Sequence, residues 1–176
     1  DGNTDSLVDQ SALNQTANTI LRSYTVASTG IAFIPVPLID IAALTGIQLS
    51  MAQQIAKVYN VPFKKAVVRP VITALVGGSA PFLATRSASS LVQLVPVVGT
   101  VAALLTQPAL ASASTYAIGK VFIKHFSNGG TFADFDPIHA QSLFNRIFKK
   151  KTEESESASE STTPKEETAT QETAAA

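Results

Sequence analysis

Cysteine is absent from the 176 residues, which excludes a disulfide frame, a thiolate zinc site and a thiol nucleophile. That absence suits a reducing compartment. Tryptophan is absent too, and charge is scarce: 15% of the residues are charged, against about 25% in a typical soluble domain. No Met-initiated, basic-then-apolar segment opens the chain, so no signal peptide is read, and a leader or domain ahead of Asp1 is left open. Strand alternation and domain-scale repeats are missing as well. What remains is aliphatic and alanine-rich, 45% hydrophobic, and long enough for one domain with one core.

The groups that enzymes use are equally sparse. The two histidines, His125 and His139, fall at helix ends. Asp134, Asp136 and His139 could be drawn as a metal site, but Asp136-Pro137 reads better as an N-cap followed by proline at the first helical position. Gly77-Gly78 and Gly129-Gly130 match neither a P-loop nor a dinucleotide fingerprint, and no strand precedes them. The chain is therefore read as no NTPase and no enzyme, with no cofactor or metal. Its basic residues are scattered rather than interleaved with aromatics, so nucleic acid is not the expected partner.

One stretch organises the rest: IPVPLIDIAALTGIQLSMAQQIAKVYNVPF, residues 34–63. Before it, residues 4–33 carry apolar positions at three- and four-residue spacing (Leu7, Leu13, Ala17, Ile20, Leu21, Tyr24) and predict a helix. Pro35 and Pro37 break that helix, and Pro37 suits the first position of the next, over 38–59. Asp40 then lies in or near the first turn, where the helix dipole stabilises an acid. The alternative for Asp40 is a buried switch or ion pair with Arg69 or Arg86; the capping role is preferred. Thr45 and Gln48 fall on the apolar side of this helix, so both should be hydrogen-bonded internally.

A third helix is expected from about 64 to 78, with a kink or break before 82–94. A long helix starts near 100, kinked at Pro108, and ends in Lys120, Lys124, His125 and Gly129-Gly130. Phe132 and Phe135 should fold the following loop back onto the body. A short helix runs from Asp136-Pro137 to Lys150. The fold class is all-α, about five helices with kinked, strongly apolar central ones. Residues 1–151 form the single helical domain, and 152–176, rich in Glu, Ser and Thr, a disordered acidic tail.

The formal net charge of zero hides an asymmetry. Residues 1–151 hold twelve Lys and Arg against six Asp and Glu, while 152–176 hold one Lys and seven Glu. Lys57, Lys64, Lys65 and Arg69 gather around the turn at Asn60-Val61-Pro62. Lys64 and Lys65, with Lys149, Lys150 and Lys151 at the end of the last helix, are candidate contacts for anionic lipid headgroups. Residues 87–119 contain no charge at all. Segment 91–118 is long enough to span a bilayer, with Gln93, Pro96, Gln107 and Pro108 weakening it as a simple span, and 67–84 is marginal; cationic flanks suit a hairpin inserted with both ends cytoplasmic. A buried helical core that is apolar all round is the competing reading.

The 34–63 stretch, together with GKVFIKHFSNGGTFADFDP, resembles the YcjF-like domain of unknown function. The likeness covers roughly residues 23–148 and keeps the double proline, Asp40, Gln48, the VPVVGT turn and the FADFDP loop in order. It implies an all-helical, membrane-associated bacterial module, also found fused behind Era-type small GTPase domains, with no catalytic residues to carry over. The expected function is a noncatalytic anchor or adaptor at the inner membrane or its cytoplasmic face, linked to a separate small GTPase. The alternative is a soluble, cytoplasmic helical module that self-associates into a homo-oligomer through its apolar helices.

Overall fold

The computed structural model describes residues 2–31, 37–79, 81 and 98–160. Five helices are described: α1 (Gly2–Ile31), α2 (Pro37–Val58), α3 (Lys65–Gly77), α4 (Val98–Ser127) and α5 (Pro137–Glu160). Among the described residues there is no strand, and the class is all-α as the periodicity requires.

Local chemistry sets the boundaries. α2 starts at Pro37, whose fixed φ suits the first helical position and whose missing N–H costs nothing there. It ends where Asn60 takes a left-handed φ of 55°, which asparagine tolerates better than most residues. The Val61 amide then donates to the Ala56 carbonyl at 2.8 Å, closing the last turn. α4 stops the same way at Gly129, φ 84°, with the Gly130 amide on the His125 carbonyl at 3.0 Å. α5 opens on Asp136, whose Oδ1 accepts from the Ile138 amide at 2.8 Å.

Contacts along the helices give the topology. Gln10 bonds to Ser127, Lys120 Nζ donates to Asn18 Oδ1 at 2.6 Å, and Ser28 reaches Ala111, so α1 and α4 are antiparallel. The Tyr59 hydroxyl donates to Asn14 at 2.6 Å, so α2 also runs against α1 and alongside α4. α5 returns along α4, bringing Lys151 level with Tyr116. α3 lies against the opposite end, between the Phe63–Phe132 ring contact at 6.0 Å and the Leu75 carbonyl, which accepts from Gln141 Nε2 at 2.9 Å.

The core is continuous across all five helices: Leu21 from α1, Met51 and Ile55 from α2, Ile72 and Leu75 from α3, Ile118 and Phe122 from α4, and Phe144 from α5. Phe132 does fold back, standing edge-on to Phe122 at 5.2 Å and to Phe126 at 5.0 Å. Gly119 lets α4 press against α1 and α2, with Leu21 and Met51 over its Cα.

Two expectations are corrected. The last helix does not stop at Lys150 but runs to Glu160, and Thr152 is fully buried with its hydroxyl on the Phe148 carbonyl at 2.8 Å. The reason is local: Lys149–Glu153 and Lys151–Glu154 pair across successive turns, and the Ser155 and Ser157 hydroxyls bond back to carbonyls of the same helix. Of the stretch expected to be a tail, 161–176 lies outside the described residues. The second correction concerns the hairpin. α3 ends at Gly77, after 13 residues and about 20 Å, well short of the roughly 30 Å hydrocarbon layer. Val68, Ile72 and Leu75 face the core. Residues Ala113, Ala117 and Ile118 of the second segment are likewise buried in the bundle. Pro108 lies inside α4, which continues through it; 82–97 lie outside the described residues.

Candidate functional site

The helix directions sort charge into two ends. At one end the last turns of α1 meet the first turns of α2 and α4; residues 23–56 carry one charge, Asp40, and 98–119 none. At the other end lie α3, the α4–α5 loop and a group of cations, Lys57, Lys64, Lys65, Arg69 and Lys124. From residue 41 to 133 there is no acid, so the cations there find no carboxylate nearby in sequence.

Gln48 sits where the uncharged end meets the core. It is 3% exposed, and its Nε2 donates to Ser114 Oγ at 3.2 Å and Thr115 Oγ1 at 3.4 Å. Ser114 passes its own proton to the Ala111 carbonyl at 3.0 Å, which Ser28 also approaches. This polar node joins α1, α2 and α4 and leaves no described buried side-chain atom unpaired. The internal bonding expected of Gln48 is thus present, and its role is to fix how the three helices pack.

Asp40 falls in the first turn of α2, as the proline implied; its side chain lies outside the described residues. Its backbone stands about 27 Å of helix away from the end of α2 that leads into α3 and Arg69. Arg86, the other proposed partner, lies outside the described residues.

The expected lipid contacts divide. Lys64 and Lys65 are exposed on α3, with Lys57 and Arg69 beside them in sequence, and form no ion pair among the described residues. Lys149 reaches Glu153 at 4.0 Å, and Lys151 reaches Glu154 at 3.3 Å while resting 5.3 Å from the Tyr116 ring centre. Only Lys150 of that triplet is exposed without a described ion pair. Sequence reasoning missed the group around Tyr116: Lys120 stands 5.6 Å from the same ring, and Arg22 is exposed one turn beyond Asn18 on α1. These residues come from three helices, with Asn18 and Lys120 separated by 102 positions, and only the antiparallel packing assembles them.

The Asp134, Asp136 and His139 group is structural. Asp134 takes the Thr131 amide at 2.7 Å and the Thr131 hydroxyl, which hold its carboxyl below the usual range. Asp136 is lowered by the His139 ring, 2.6 Å away, and by the amides it caps. No set of three metal-ligating side chains occurs among the described residues. Burial raises Tyr59, whose hydroxyl is committed to Asn14.

A family model described as a domain of unknown function, DUF697, matches residues 2–153. The chain belongs to the DUF697 family. The match agrees with the YcjF-like resemblance read from the sequence, and extends it through α1 and into the last turns of α5. Within the curated proteins, this DUF697 chain is similar to "Magnetosome membrane protein 22" of Magnetospirillum gryphiswaldense, 36% identical over 135 residues, which are 76% of this chain and 69% of the relative. No solved structure gives a significant match.

Proposed function

We propose that this DUF697 protein is a noncatalytic, membrane-associated helical module serving as an anchor or adaptor at a bacterial inner membrane. The observation that carries the reading is the separation of charge along the bundle. The last turns of α1 and the first turns of α2 and α4 meet at one end with a single charge among them, Asp40, while Lys57, Lys64, Lys65, Arg69 and Lys124 lie towards the other and Arg22, Lys120 and Lys149–Lys151 lie between. Similarity to a protein named as a magnetosome membrane protein supports the same reading. No helix among the described residues is long and apolar enough to cross a membrane, so the association does not rest on a described span. Work with a separate small GTPase is the adaptor half of the proposal, and its support is the family resemblance alone.

Fractionation tests it. The protein is expected to sediment with membranes, and an inserted end to resist alkaline carbonate. Release by carbonate would reduce the reading to peripheral attachment. A protein that never sediments with membranes, and elutes as an oligomer, would replace it with the self-associating soluble module.

A further inference from the structure

We propose, resting on the membrane reading above, that the protein meets a bilayer end-on: the uncharged end enters the lipid, a belt of cations at the level of Tyr116 lies among the headgroups, and α3 stays in water. The level is fixed by contacts. Lys120 on α4 bonds to Asn18 on α1, and both Lys120 and Lys151 stand over the Tyr116 ring, so α1, α4 and α5 are in register there. Arg22 is one turn further along α1, and Lys149 and Lys150 share a turn with Lys151. Gln48 bonds to Ser114 and Thr115, which places residues 37–48 of α2 beyond the belt.

Dimensions and satisfaction of polar groups agree with lipid as the occupant. α4 runs from Tyr116 back to Val98 over about 27 Å, and α1 from Arg22 to Ile31 over about 14 Å. A hydrocarbon layer is about 30 Å thick, so this end fits within it from one side without crossing. Cations and tyrosines are the side chains that suit headgroup level. Five of the polar side chains described beyond the belt are bonded within the protein: Thr25 and Thr29 donate to the carbonyls of Leu21 and Thr25, and Ser28, Gln48 and Ser114 form the buried node. Among the described residues no cation lies past the belt for an acidic protein partner to pair with.

Among the described residues the charge past the belt is acidic: Asp40 in the first turn of α2, and Glu153, Glu154, Glu156 and Glu160 on α5. Two of these pair with belt lysines, so the acids oppose the contact and their removal strengthens it.

The cysteine-free chain makes the test direct, because one introduced thiol is the only one. Full-length variants Val26→Cys and Ala42→Cys probe the uncharged end at exposed positions; Ala66→Cys and Ile138→Cys probe the other. Each is labelled with a polarity-sensitive fluorophore and mixed with phosphatidylglycerol–phosphatidylethanolamine vesicles carrying acyl-chain spin labels. Labels at 26 and 42 are expected to blue-shift and quench, those at 66 and 138 to stay unchanged. Replacing Arg22 and Lys150 by Gln should lower vesicle partitioning about fivefold per charge, the equivalent of about 1 kcal/mol each, whereas Lys65→Gln with Arg69→Gln should not. Quenching at 66 without quenching at 26 and 42, or flotation with no label quenched, overturns the end-on orientation while membrane association stands. A full chain that binds no vesicle overturns both.

Discussion

Alanine at two helical glycines should have opposite effects, and the gap between them measures how closely α4 is pressed into the bundle. At Gly46, in α2, a Cβ meets nothing within 4 Å. Gly46→Ala therefore keeps only the gain in helix propensity, about 1 kcal/mol. At Gly119, in α4, the same Cβ collides with Leu21 Cδ1 and stands 3.2 Å from Met51 Sδ. Leu21 and Met51 are fully buried, so the leucine cannot swing away without displacing its neighbours. Overpacking of this kind costs about 1–3 kcal/mol. The propensity gain is common to both sites and cancels in the comparison, so Gly119→Ala should be less stable than Gly46→Ala by about 1–3 kcal/mol. Urea titration with unchanged m-values would read that difference, and a thermal melt would show it as about 2–4 °C per kcal/mol for a chain of this size. Adding Leu21→Val should recover part of the loss at Gly119 and none at Gly46. Equal stabilisation by both alanines would refute the close α1–α4 packing.

Four other outcomes follow from particular contacts. Gln48→Ala should cost about 2–4 kcal/mol, from lost hydrogen bonds plus a cavity, while Gln48→Leu, which refills the space, should cost about 1 kcal/mol; equal losses would mean that the node is not packed as described. Asp40→Asn should cost about 0.3–1 kcal/mol by equilibrium unfolding, and a loss above about 2 kcal/mol would require a buried partner. Truncation after Lys151 should lower helicity and cost about 1–2 kcal/mol through exposure of the Thr152 site, whereas truncation after Glu160 should stay within about 0.5 kcal/mol of the full chain. The carboxyls of Asp134 and Asp136 are depressed in the folded state, so their contribution is complete above the ordinary carboxylate value near 3.9 and is lost as pH falls through the lower folded values. Acid melts below about pH 4 should show this loss, and replacing both by Asn should flatten that limb.

Much of the fold was legible because proline, asparagine and glycine punctuate it. Pro37, Asn60, Gly77 and Gly129 mark the start of α2 and the ends of α2, α3 and α4 within two residues of where the helices begin and stop. The return of Phe132 onto the body followed from aromatics in a loop that nothing else could bury. The extension of α5 was not legible from apolar periodicity, because residues 152–160 have none; Lys149–Glu153 at four-residue spacing was the available signal. Pro70 within α3 and Pro108 within α4 show tertiary packing overriding a local breaker. The candidate site was half visible. The uncharged runs and the cations could be counted in the sequence. That uncharged turns of three helices share one end, with Lys64 and Lys65 at the other, depends on antiparallel packing that no local pattern encodes.

Flotation of the purified full-length chain with anionic vesicles, at low salt and again at physiological salt, tests the central claim most directly. The account predicts that the protein rises with the vesicles in both, because apolar turns held in lipid are insensitive to screening, with low salt adding the contribution of the belt. Protein that stays at the bottom of the gradient at both salt concentrations would contradict membrane association itself.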